Sequence, residues 1–312
     1  MEELKDICTI MTPTYNRKYK ICELYRSLKE QSNKEFEWLI IDDGSSDGTE
    51  EFIKKIKQKE KTFKIWYYKV KNGGKHRAIN FALEKARGKY FFIVDSDDIL
   101  PFNSVEIIKK EFENIKNENE YAGVGGLKQN ISSDSLIGET FKEKYVDCTN
   151  LERKKYNILG DKAEVFYTDI LKNYKFPEFE NEKFLTEAVV WDKIGRDGLK
   201  IRWFNKVIYR ADYLSDGLSK NLIRSYKSSP RGFALYLKSQ IENKNNLRLF
   251  AFYNYGKFYN LIEDYNLEET AQVFNIKIWE VCISCFIYKF DKIIRIEKII
   301  KIWEYIKMKF FN

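Results

Sequence analysis

The stretch Tyr90-Phe91-Phe92-Ile93-Val94-Asp95-Ser96-Asp97-Asp98 places three carboxylates within four positions, directly after five β-prone apolar residues. The apolar run predicts a short strand buried on both faces, and the acids fall where that strand ends. In extended chain the side chains at i and i+2 point the same way, so Asp95 and Asp97 can converge while Asp98 faces elsewhere. Converging carboxylates repel unless a positive charge sits between them. A hard divalent cation whose shell is completed by phosphate oxygens is a natural occupant. The plain alternative is a solvated acidic turn, with Asp98 capping a helix expected from about Phe102.

The elements around this stretch decide between the two. Ile7–Met11 predicts a buried strand, ended by Thr12-Pro13-Thr14-Tyr15-Asn16-Arg17, where proline breaks the ladder and sets a turn. A helix follows over about Lys18–Gln31, with Ile21, Leu24, Tyr25 and Leu28 at helical spacing. Strand Glu37–Ile41 runs into Asp42-Asp43-Gly44-Ser45-Ser46-Asp47-Gly48-Thr49, then a helix over Glu50–Lys59 and a strand over Lys64–Lys69. Asn72-Gly73-Gly74-Lys75-His76-Arg77 opens the next helix, which stops at Gly88, and the acidic stretch is the fourth strand. Strands alternating with helices predict a doubly wound, Rossmann-like, mostly parallel sheet. Ligands bind such sheets beyond the carboxyl ends of the strands. All four polar clusters fall at that edge, which weighs against an isolated wet turn.

Asp43, where a strand meets a Gly-Ser turn, can accept from an imide N–H or a ribose hydroxyl. Asp42 is as well read as a turn residue, and Asp47 better so. Gly73 and Gly74 allow close backbone approach to a ligand, and Lys75, His76 and Arg77 stand at a helix N-terminus that favours anions. His76 is the only histidine of the chain. It is read equally as a phosphate-contacting or gating residue or as a structural one.

Further on, a helix is expected over Phe102–Lys116, strands at Tyr121–Leu127 and Ala163–Tyr167, and between them a polar excursion, 128–160, over one face of the sheet. In the segment 179–191, Glu182 and Glu187 are five apart, so one can face a cleft while the other is solvated. Strands Ile201–Phe204 and Val207–Arg210 lead to the turn at Asp212–Ser219.

Among 312 residues there are five cysteines, an odd number that suits a reduced, cytoplasmic protein. Cys282 and Cys285, in an apolar setting, read as two buried thiols on a helix face. No apolar run reaches the length of a membrane span, and the N-terminus does not read as a secretory signal. The net charge is +8, and from Lys220 onward 16 Lys/Arg face 9 Asp/Glu, a net of +7. The basic excess therefore belongs to the C-terminal part and not to a nucleic-acid-binding core. In residues 291–312, Ile293, Ile296, Ile300, Trp303 and Phe310 share a stripe amid lysines, which fits either an anionic membrane surface or an ordinary packing helix.

Taken together, TPTYNR, DDGSSDGT, NGGKHRAIN, DSDD, EKFLTE and YRADYLSDGLS resemble the inverting family 2 glycosyltransferases of bacterial surface-polysaccharide synthesis, over about the first 220 residues. The resemblance implies the GT-A fold: a catalytic domain over 1–220 (donor half about 1–127, acceptor half about 128–220) and a helical, basic extension over 221–312. It implies a nucleoside-diphosphate sugar, such as a UDP-sugar, lying across Thr12, Pro13, Tyr15, Arg17, Asp43, Gly74, Lys75, His76, Asn80, Asp95 and Ser96. Asp97 and Asp95 would hold Mn²⁺ or Mg²⁺, with Asp212 either a third ligand or a turn residue. Counting back from Tyr209-Arg210 and from Trp191 places Glu187 nearest the family's base, with Glu182 as the alternative. Thr186 stands where the family usually has an acid before its base. The implied acceptor is a glycan or lipid-linked glycan, and a peripheral place on the cytoplasmic membrane would suit it. A sugar-phosphate nucleotidyltransferase and a non-catalytic nucleotide-sugar-binding module are the competing readings. The first usually carries a glycine-rich basic signature near its first strand, which TPTYNR lacks.

Overall fold

The computed structural model describes residues 4–212, 221–244 and 247–294. The chain divides into two compact units, residues 1–178 with 190–220 and residues 179–189 with 221–312. This differs from a single cut at residue 220, because the segment holding Glu182 and Glu187 belongs with the C-terminal helices.

The first unit opens with β1 (Leu4–Thr14), α1 (Lys18–Lys29), β2 (Phe36–Asp42), α2 (Thr49–Lys59), β3 (Lys64–Lys69), α3 (Lys75–Lys85) and β4 (Gly88–Ile93). It continues through α4 (Ser104–Glu113), β5 (Tyr121–Asn130), β6 (Leu136–Ile137), β7 (Tyr145–Cys148), β8 (Lys162–Tyr167) and α5 (Thr168–Lys172). Next is α6 (Ala188–Arg196), whose first residues lie in the 179–189 segment, and then β9 (Lys200–Ala211). The strands form one sheet in the order β3-β2-β1-β4-β8-β5-β9-β7, with β6 on β5. β1 to β4 are parallel neighbours, as helix-linked strands must be. β8 lies antiparallel between β4 and β5, because the excursion that precedes it returns without a crossover helix.

One sheet face buries Ile10, Trp38, Phe92, Val165 and Phe204 against Ile21, Leu24 and Leu28 of α1 and Ile108 and Phe112 of α4. Each such side chain contributes roughly 1.5–3 kcal/mol of burial. This core fixes where the strands end, and so where their polar ends meet.

Three expectations change. Pro13 does not end its strand: β1 continues to Thr14, paired with β2 through Asp42. Met11 accepts from Val94 N–H on the β4 side and Thr14 from Asp43 N–H on the β2 side, so the missing N–H of Pro13 points where pairing with β4 has already stopped. Residues 201–210 form one irregular strand, β9, rather than two. The excursion does more than cross a face. Its β7 extends the sheet edge beside β9, and its neck is closed by Glu139 N–H donating to the Leu159 carbonyl.

The second unit holds α7 (Leu222–Lys227), α8 (Pro230–Asn243), α9 (Arg248–Leu261), α10 (Leu267–Phe274) and α11 (Ile278–Ile294). Its core is Tyr226, Phe233, Leu237, Phe258, Ile262 and Phe274, with Phe184 of the 179–189 segment packed against it. Cys285 is half-buried but Cys282 is exposed, contrary to the expectation of two buried thiols, because Val281 and Ser284 occupy the inward face of α11. The tail from residue 295 lies outside the described residues. Among the described residues no single helix is long and apolar enough to cross a membrane.

Candidate active site

The end of β2 separates its two acids. Asp42 is fully buried and closes the turn, accepting from Ser45 N–H at 2.7 Å and from the Tyr67 hydroxyl at 2.6 Å. Asp43 reaches across to the loop before α3. Its carboxylate accepts from Gly73 N–H (2.7 Å), Gly74 N–H (2.8 Å) and the Asn72 amide (3.0 Å). Gly74 makes this possible, since its φ of +94° is open to glycine and strained for other residues. Two of the expected clusters are thereby one structure, with Asp43 as its clasp. Asp47 caps α2 through Thr49 and also accepts from Lys18 N–H.

At the head of α3, Lys75 reaches the DSDD turn, its ammonium 2.7 and 2.9 Å from the two carboxylate oxygens of Asp95. Burial works to raise the Asp95 carboxyl, but Lys75 outweighs it and holds the group below its usual range. His76 is buried in the same turn, and Arg77 lies 3.8 Å from Glu178. Asn80, expected to touch the donor, tethers the segment before residue 179. Its amide donates to the Phe176 carbonyl and to Glu178, and its oxygen accepts from Phe176 N–H.

Asp97 has the opposite electrostatics to Asp95. Burial first, and the charge of Asp95 second, push its carboxyl upward. Asp98 is pushed to about 7 by burial and Asp95, and it accepts a 2.6 Å hydrogen bond from the Tyr209 hydroxyl. That hydroxyl in turn accepts from Asp95 N–H at 3.0 Å. Ile99 and Arg210 close an antiparallel bridge beside it, at 3.0 and 2.9 Å. Lys128 stacks on the Tyr209 ring, 4.9 Å from its centroid, and the acids Asp161, Glu164 and Asp95 hold its ammonium above the usual range against burial. The turn is thus built onto β9 and β5. Ser96 is buried within it.

The β1 end lines the same edge. Thr12 is buried and accepts from the Trp38 indole at 3.0 Å, Pro13 is half-buried, and Tyr15 is half exposed. Arg17 stands by the Tyr19 hydroxyl at 2.5 Å, and its charge favours ionised Asp97.

A family model described as "Glycosyl transferase family 2" matches residues 9–165, just over half of the chain. This chain belongs to glycosyl transferase family 2. A Rickettsia bellii protein described only as an uncharacterized glycosyltransferase is 30% identical over 146 residues. That match covers 45% of this chain and only 21% of the relative's length. A Campylobacter jejuni GalNAc(5)-diNAcBac-PP-undecaprenol beta-1,3-glucosyltransferase is 25% identical over 228 residues, 70% of either chain. Residues 1–349 of Staphylococcus aureus TarS, crystallised with UDP-GlcNAc, superpose with a TM-score of 0.60 at 19% identity, over 92% of this chain and 91% of that one. The fold is GT-A.

The structure gives partners to two of the family 2 site candidates. Asp212, expected as a third metal ligand or a turn residue, accepts from Ile131 N–H, Ser132 N–H and the Ser132 hydroxyl, and these donors hold its carboxyl down against burial. Glu182, the alternative base, is buried and caps α8, accepting from Arg231 N–H and Gly232 N–H at 2.9 Å and from the Arg231 guanidinium at 3.0 Å. Glu187 is half-buried, one residue ahead of α6. Among the described residues no three His, Cys, Asp or Glu side chains group as a metal shell. Two carboxylates stand together at Asp95 and Asp97, and the upward push on Asp97 marks a place where added positive charge is stabilising. The residue set therefore fits a hard divalent cation shared with a ligand's phosphates. Sequence reasoning missed Tyr209 and Lys128 as the frame of that turn. The Tyr-Arg pair was visible, but the tyrosine's partners in the turn lie more than a hundred residues away.

Proposed function

We propose that this family 2 member transfers a sugar from a UDP-sugar to a hydroxyl of a lipid-linked glycan, with inversion at the anomeric carbon. The observation that carries the reading is the meeting of three charge elements at one sheet edge: the Asp95–Asp97 pair, Lys75 on Asp95, and Asp43 clasping the Gly73-Gly74 loop. The C. jejuni relative's printed acceptor and the UDP-GlcNAc bound to TarS support the choice of acceptor and donor class. Asp43 and the Thr12–Tyr15 segment orient the nucleoside, while Lys75 and the backbone at the head of α3 face the diphosphate. Asp97 and Asp95 would hold Mn²⁺ or Mg²⁺, which when bound would supply Lewis-acid charge against the leaving diphosphate. Glu187 takes the proton of the acceptor hydroxyl as its oxygen bonds the anomeric carbon and the bond to the diphosphate breaks.

Calorimetry with UDP and Mn²⁺ tests the donor site. The wild-type chain binds, and Asp97→Ala weakens binding at least about tenfold. Unchanged binding in that variant, or none in the wild type, overturns the assignment.

A further inference from the structure

α11 has two unlike faces. On one, Val281 and Ser284 are fully buried, and the Tyr288 ring meets that of Tyr253 on α9 at 5.6 Å. Gly256 lets the two helices close together, since a Cβ there would lie 2.0 Å from the Ser284 carbonyl oxygen. On the other face Trp279, Ile283, Phe286 and Phe290 are 48, 43, 66 and 40% exposed. Their spacing of four, three and four residues makes one continuous apolar stripe. Contiguous exposed apolar surface of this kind marks an interaction face.

We propose that this stripe lays the second unit on an anionic lipid bilayer at interfacial depth. The chemistry matches that partner. Trp and Phe are side chains that bury at the headgroup boundary. Exposed Lys277 and Lys289 flank the stripe, and Glu280 is the one acid between residues 277 and 290. The sequence after it, residues 291–312, adds six Lys/Arg against three Asp/Glu. Each basic group near an anionic surface adds to the attraction. A second copy of the chain fits less well. Four side chains fall short of the roughly 800 Å² per partner of a stable pair, and two stretches of net +7 would repel. The inference deepens the lipid-linked acceptor reading, since it brings a transferase to the surface where such an acceptor resides.

The test is flotation of the full chain with vesicles of phosphatidylcholine alone and of phosphatidylcholine with phosphatidylglycerol, with no donor present. Wild type floats with the anionic vesicles and is released by salt. Ile283→Glu with Phe286→Glu lowers the bound fraction about tenfold or more and leaves UDP binding by calorimetry unchanged, while Phe286→Leu behaves as wild type. Failure of the wild type to float, or equal flotation of the double variant, overturns the proposal. So does a wild-type dimer that the double variant dissociates. A wild type that floats yet does not bind UDP defeats the transferase reading alone.

Discussion

The DSDD turn and the segment 179–189 are the two acidic stretches to which the proposed chemistry assigns its residues, and they belong to different units. They divide labour in the same way. In the turn, Asp98 is taken up by the Tyr209 hydroxyl, and Asp95 and Asp97 are left to balance charge. In the segment, Glu182 is taken up by the head of α8, while Glu187 sits half-buried before α6. In each case one acid is held by the fold beside another that the proposed chemistry uses. Glu182, which accepts from two backbone N–H groups and a guanidinium, is held at the head of α8, and moving it would leave those donors without their acceptor. Acidic motifs therefore mix structural and chemical members, and spacing alone does not sort them.

The largest effect that probes this division is at Glu187. Glu187→Gln keeps shape and removes the proposed base, so sugar transfer falls by about 10²–10⁴-fold while UDP binding and melting temperature hold. Glu182→Leu gives the opposite pattern. It strips two backbone N–H groups and Arg231 of their acceptor, at a cost of about 1–3 kcal/mol in stability, read by denaturant melts. If Glu182→Gln abolishes transfer in a fully folded protein while Glu187→Gln retains it, the two roles are exchanged.

The alternation of strand and helix was legible because burial repeats locally. Lys64–Lys69 is a strand at the limits its pattern predicts, and the polar ends of β1 to β4 gather at one edge as parallel topology requires. What the sequence hid is long-range and polar. Tyr209 acts on residues 111 and 114 positions away, Glu182 on one 49 positions away, and Asn80 on one 96 away. No periodicity encodes such partners. Pro13 misled for a related reason: its effect on the ladder depends on which neighbour its missing N–H would face, and that depends on where β4 stops pairing.

Tyr209 offers a finer test on the donor side. Tyr209→Phe keeps the ring against Lys128 but removes both hydrogen bonds to the turn. If the phenol only fills space, stability drops slightly and kinetics hold. If it aims the acids, stability falls by about 1–2 kcal/mol and the donor KM rises several-fold with a smaller change in kcat. Asp98→Asn with Tyr209 intact, which can still accept from the phenol, keeps the donor KM near that of the wild type.

The same division extends to cations, and there it can be read by pH. Lys75 is matched with Asp95, whereas Lys162 is used by the fold. Lys162 is 3% exposed, and its amine donates to the carbonyls of Glu139 and Leu159 at 2.8 and 2.7 Å, closing the neck of the excursion. Burial first, then Arg153, lowers its pKa from 10.5 to about 8. A depressed lysine is costly to the folded state while charged, so its favourable contribution is complete above 10.5 and is lost as pH falls through about 8. The neutral amine still carries two N–H groups, enough for both carbonyls. Lys162→Met therefore costs about 1–2 kcal/mol in melts at alkaline pH. The gap between wild type and variant narrows as pH falls from about 10 to 7. A gap that is constant with pH would mean that the amine keeps its charge and that the neck is hydrated, placing Lys162 with Lys75 rather than opposite it.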